Sequence, residues 1–176
     1  DMAECPEFFD ATRGRVNDVR MGAQELCLRY LAVLFVYVWH EDSFANYRGL
    51  KKEMDRAVLF LNGKLDEDAQ AYSFILDAFK RAMCQCHRIL GEASFCKPGS
   101  SLINKSLFTA WAVVLSNVRP SDEQIESSAE QIFARYQSHL AEDPAFYEAI
   151  TFSTGSKKHI GLSIKVIRSI LEECLC

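Results

Sequence analysis

The chain has little of what marks strands, membrane spans or catalytic loops. Hardly a segment alternates apolar and polar residues, which excludes a sheet-built fold by pattern. The densest apolar stretch, residues 31–39, follows Arg29 and stops at His40, Glu41 and Asp42. It is far short of the roughly 20 residues that cross a bilayer, so a buried core helix is expected and no membrane partner. Neither sign of charge dominates: 20 basic and 24 acidic residues leave a net charge of −4. Nucleic acid therefore feels no global attraction, and any such contact needs a local patch. No G-x-S-x-G elbow, Walker loop or H-E-x-x-H helix occurs, and no internal repeat or low-complexity run. The chain also lacks a basic-then-apolar opening, since Asp1 and Glu4 come first, and no Met stands at position 1. We expect a C-terminal fragment of a longer protein.

What is present is core. Of 176 residues, 49% are hydrophobic, enough to bury one domain spanning 1–176. Seven cysteines leave one over in any disulfide scheme, and a core of this size needs no staples, which points to a reducing, cytoplasmic setting.

Apolar residues recur at helical spacing in six or seven stripes cut by Asp, Ser, Pro and Gly. The expected fold class is all-α, a single helical bundle of about six to eight helices. Pro6 suits the first turn of a short helix that ends before Gly14. Residues 22–39 are apolar almost all round and read as the hub of the bundle. Residues 42–62 place Tyr47, Leu50, Met54, Ala57, Val58 and Leu61 on one face and Arg48, Lys51, Lys52, Glu53 and Arg56 opposite. Asn62-Gly63 supplies a left-handed exit. Asp66 is expected to cap a long helix that Gly91 stops. Helices follow at about 104–117, from Ser121 with a Ser121/Gln124 capping box, briefly after Asp143-Pro144, and from about Ser156 to the end.

Candidate chemistry is sparse. Cys84-Gln85-Cys86-His87 has the right ligand types for zinc, but residues two apart on a helix diverge by about 200°, and a second ligand pair is wanting. His40, His87, His139 and His159 stand in four separate segments. No catalytic residues, cofactor or metal ligands are expected. The loop 151–159 is more suggestive: Ser153, Thr154, Ser156, Lys157 and Lys158 precede a helix whose free amides can hold an anion such as phosphate. An ordinary exposed cap has the same composition. Arg48, Lys51, Lys52 and Arg56 form a second basic strip, interleaved by Glu53 and Asp55, which reads as a solvated face. Tyr47, Phe79, Phe95, Phe108 and Trp111 can in principle stack bases, yet all except Phe95 fall on helical stripes, so core packing is the better account.

Three short segments, in order, carry a resemblance. Residues 20–32 hold Arg20, Glu25 and a Leu28-Arg29-Tyr30 trio opening a hydrophobic helix. Phe95 precedes Ile103-Asn104-Lys105-Ser106-Leu107-Phe108, and residues 151–156 precede Val166-Ile167-Arg168. Together they resemble the C-terminal helical half of the GmrSD-type restriction family, whose members begin with a ParB-like domain. The Asp-Gly-Gln-Gln-Arg type motif of that first half does not occur here, nor does a His-Asn-His half. The resemblance implies a noncatalytic scaffold or regulatory module acting with a ParB-like NTPase/nuclease domain outside this chain. It also implies that Arg20, Arg29, Asn104, Lys105 and Arg168 serve as polar anchors, holding loops or facing that domain. Two alternatives stand beside it: a nucleic-acid-binding helical module using residues 153–159, with DNA as a possible partner, and a helical adaptor for another protein.

Overall fold

The structure, a computed structural model, describes residues 2–16, 21–39, 44, 46–64 and 69–175. They form eight α-helices and no strand: α1 (Pro6–Thr12), α2 (Gly22–Trp39), α3 (Leu50–Lys64), α4 (Ala69–Leu90), α5 (Lys105–Val118), α6 (Asp122–Glu142), α7 (Pro144–Ala149) and α8 (Lys157–Leu175). The all-α bundle is therefore as the periodicity predicts. A single antiparallel bridge, Cys96 to Ile103, closes the loop ahead of α5. One apolar core runs from Met2 to Cys174.

Local chemistry explains most helix ends. Asn104 caps α5, its side chain accepting from the Ser106 and Leu107 amides, and Arg119 leaves that helix at φ 52. Ser121 and Gln124 form the reciprocal capping box of α6. Asp143 accepts from the Phe146 amide and Pro144 opens α7. Gly91, at φ 49, ends α4.

The third helix departs from expectation at both ends. It starts at Leu50 rather than near Asp42, so Tyr47 and Arg48 precede it. Gly49 at φ 106 breaks the run, and the Arg48 amide donates to Glu53 Oε1 at 2.8 Å instead of continuing a helix. At the far end Gly63 has no positive φ, and α3 continues through it to Lys64. The expected helix start at Asp42 and the expected cap at Asp66 lie outside the described residues. Glu53, assigned by periodicity to the solvated face, is buried at 2% exposure, because Arg48 N and Arg56 Nη1 (3.0 Å) satisfy its two oxygens.

The centre of the bundle is α5, which packs on α2, α4 and α8, whereas α2 lies mainly against α3 and α5. Every residue from Ser106 to Ser116 is buried. Hydroxyl side chains make this possible by bonding within the protein. Thr109 Oγ1 donates to Lys105 O at 2.7 Å, and Ser116 Oγ lies 3.0 Å from the Tyr30 hydroxyl. Around them Phe108 meets Phe95 edge-on at 5.0 Å and Trp111 meets Tyr136 at 5.3 Å.

Candidate functional site

The start of α5, the exit of α7 and the start of α8 meet in one corner, and one residue ties them. Asn104 Oδ1 accepts from Ser106 N and Leu107 N, both at 3.0 Å, while its Nδ2 donates to Ile150 O at 2.7 Å. The Asn104 amide also donates to Phe95 O at 2.8 Å. The capping side chain thus fixes where the loop after α7 begins.

That loop is tied down along its length. Tyr47 Oη donates to Gly155 O at 2.7 Å, and a Cβ at Gly155 would stand only 3.3 Å from Leu50 Cβ, so glycine permits the approach of α3. His159 Nδ1 donates to Phe152 O at 2.6 Å, which places the proton on Nδ1 in the neutral ring. Ser156 Oγ accepts from His159 N at 3.2 Å, an internal cap for α8. Ser153 is exposed at φ 44. Thr154 is half-buried and turns toward α2 and α5, where it lines a small cavity with Arg29. Lys157 and Lys158 are exposed on the first turn of α8. Of the five residues expected to contact an anion, only the two lysines and Ser153 face solvent freely.

The anchor residues divide. Arg29 is buried, and burial pulls its guanidinium below its ordinary pKa, with Glu25 and Tyr47 opposing that shift. Burial in turn pushes the Tyr47 phenol up to about 12. Lys105 Nζ holds both oxygens of Glu25, at 2.7 and 2.6 Å, linking α5 to α2. Arg168 lies three turns into α8, donating to the Tyr37 hydroxyl at 2.8 Å and to Glu172 at 2.7 Å. Arg20 lies outside the described residues. The structure therefore gathers Arg29, Asn104, Lys105 and Thr154 into one corner and leaves Arg168 elsewhere.

Several residues of this corner carried no signal by motif. Ser106, Thr109 and Ser163 line the same cavity, and Tyr47 and His159 hold its loop. The available hint was hydroxyls at three-residue spacing inside an apolar helix. Elsewhere Cys84 is exposed and Cys86 buried, so the two thiols diverge, while buried Gln85 donates to Pro120 O at 2.9 Å. No group of three His, Cys, Asp or Glu converges on a metal position among the described residues. Tyr47, Phe79, Phe95, Phe108 and Trp111 are all buried in the core. No described helix is long and apolar enough to cross a membrane.

A second surface feature lies at the other end of α2. There Leu34, Phe35, Val38, Phe60, Phe74 and Ile75 line an apolar groove of about 350 Å³. Phe74 is 56% exposed, with the Arg119 guanidinium 4.5 Å over its ring, and Val38, Val58 and Leu59 also stand in solvent. Large apolar groups grouped in this way on a surface suit contact with another protein.

No known protein family, curated protein or solved structure matches this chain.

Proposed function

We propose that the chain is a noncatalytic helical scaffold or regulatory module of a GmrSD-like modification-dependent restriction or phage-defence protein. It works in the cytoplasm against a ParB-like NTPase/nuclease domain carried outside the chain. The observation that carries this reading is the apolar groove of α2, α3 and α4 with Phe74 and Val38 exposed on its walls, and Leu59 exposed beside the adjoining hollow that shares Phe35 and Phe60 with it. Docking a partner domain removes that area from water and supplies the driving force. The corner built by Asn104 and Lys105 supports the same reading from inside, because it makes the bundle a rigid platform.

The test joins the purified chain to the ParB-like domain encoded with it, by calorimetry and size exclusion. A complex is expected, weakened at least about tenfold by Phe74→Asp with Leu59→Asp, the loss of a buried aromatic anchor. Circular dichroism checks that the variant stays folded. Binding unchanged by those substitutions sinks the docking surface, and nucleotide hydrolysis or DNA cleavage by the chain alone sinks the noncatalytic assignment.

A nucleic-acid-binding reading draws on one feature, the adjacent exposed Lys157 and Lys158 at the positive end of α8. It requires DNA affinity that falls steeply with salt and weakens on Lys157→Ala with Lys158→Ala.

A further inference from the structure

The groove between α2, α3 and α4 has apolar walls and one polar stretch. Leu34, Phe35 and Val38 of α2, Phe60 of α3, and Phe74 and Ile75 of α4 form the walls. The exit of α5 supplies the polar stretch, Ser116, Asn117 and Arg119, which stay together because they are near neighbours in the chain. The hollow measures about 350 Å³, at the small end of the roughly 300–1,000 Å³ of sites that enclose small molecules.

Arg119 brings a cation with donors to spare. Its Nε donates to Ser116 O at 3.1 Å and its amide to Leu115 O at 3.0 Å, so two of the carbonyls at the negative end of α5 are already bonded. The guanidinium lies 4.5 Å over the exposed Phe74 ring, which holds it beside the apolar walls. No carboxylate among the described residues pairs with Arg119, and its two Nη groups donate to none of them. Asn117, half-buried beside it, has its side-chain amide unbonded among them as well.

We propose that this hollow binds a small hydrophobic carboxylate, a medium-chain or aromatic acid, with its apolar body against Phe35, Phe60 and Ile75 and its head on the Arg119 Nη groups and Asn117 Nδ2. Removing the walls from water supplies most of the affinity, and the cation selects the head group. An inorganic anion leaves the walls unused, and a neutral hydrocarbon leaves both donors to water. The acid site stands on the chain alone. Its bearing on assembly rests on the docking reading above: an acid seated in the groove covers the surface that the partner domain needs, so the two exclude one another.

Titration of the full chain with octanoate, followed by calorimetry and methyl NMR, tests the site. Saturable binding is expected, with shifts concentrated at Leu34, Val38 and Ile75. Arg119→Gln is expected to weaken octanoate about three- to tenfold, the scale of a charge-assisted hydrogen bond at a half-open site, and to leave octanol unchanged. Val38→Asp, at a wall position exposed enough to tolerate charge in the folded chain, is expected to abolish binding of both. No saturable octanoate binding, shifts centred elsewhere, an octanoate affinity unmoved by either substitution, or equal loss of octanoate and octanol in Arg119→Gln overturns the proposal. Octanoate binding that leaves the complex with the partner domain intact overturns the docking reading at this groove and not the acid site.

Discussion

Among the described residues Glu53 and Arg29 are buried charged side chains, and they are buried in opposite ways. Glu53 on α3 has an amide on one oxygen and the Arg56 guanidinium on the other, at 2.8 and 3.0 Å. Arg29 on α2 has a shielded Nε and no bond to it. The first is a closed arrangement that explains its own position. The second leaves one guanidinium nitrogen without a hydrogen bond. Burial alone does not distinguish them; the hydrogen-bond inventory does.

The largest expected effect lies on the Arg29 side and concerns pH. Burial pushes the neighbouring groups on α2, Cys27 and Tyr30, up to about 12, and Tyr47 likewise. Each is an acid held in its neutral form, with a folded pKa above its unfolded one. Its stabilising contribution is complete below the unfolded pKa and is lost as pH rises toward the folded value. Denaturant midpoints should therefore fall from about pH 9 upward, where thiols in the unfolded chain begin to ionise. Cys27→Ala should make the decline between pH 9 and 10 shallower. A flat profile to pH 11 contradicts the burial of these groups.

Next in size, Glu53→Ala should cost about 2–3 kcal/mol in urea unfolding, because the start of α3 loses the acceptor that replaces its cap. If Arg29→Met costs as much as Glu53→Ala, the contrast between the closed and the open charge fails. Asn104→Ala removes a cap and the tie to Ile150, an expected loss of about 1–2 kcal/mol with faster amide exchange across residues 150–156. The smallest effect belongs to Lys157→Ala with Lys158→Ala, expected within about 0.5 kcal/mol because both side chains are solvated. A larger loss would mean that the lysines belong to the corner rather than to its surface.

Much of the helical order was legible because it rests on short-range chemistry. The stripe of α4, the capping box of Ser121 and Gln124, and the Asp143-Pro144 restart are each written within a few residues, and each is where expected. Periodicity failed where it counts residue types rather than partners. Glu53 matched the polar face of α3, yet a neighbouring backbone amide and Arg56 carry it inside. Residues 22–39 read as the hub because they are apolar almost all round, but the central helix is α5, whose Ser106, Thr109 and Ser116 are buried with it. Gly63 suited an exit, but the helix tolerates it and runs on.

The candidate corner was half legible. Asn104, Lys105 and Arg29 entered through the family resemblance, and Thr154 through the composition of its loop. Tyr47 was read as part of a helical face, but its hydroxyl clamps Gly155, 108 residues away. Such a contact leaves no mark in local spacing.

The sequence by itself determined that the chain is helical, where most helices start and stop, and which stripes are apolar, because dihedral preference, capping and side-chain period act over a few neighbouring residues. Only the tertiary structure decided that α5 is central, that one buried charge is satisfied on both oxygens while the other keeps a nitrogen without a hydrogen bond, and that hydroxyl residues of α5, α8 and the loop before α8 come together. Burial and hydrogen-bond partners are set by segments far apart along the chain, and their positions exist only once the helices have packed.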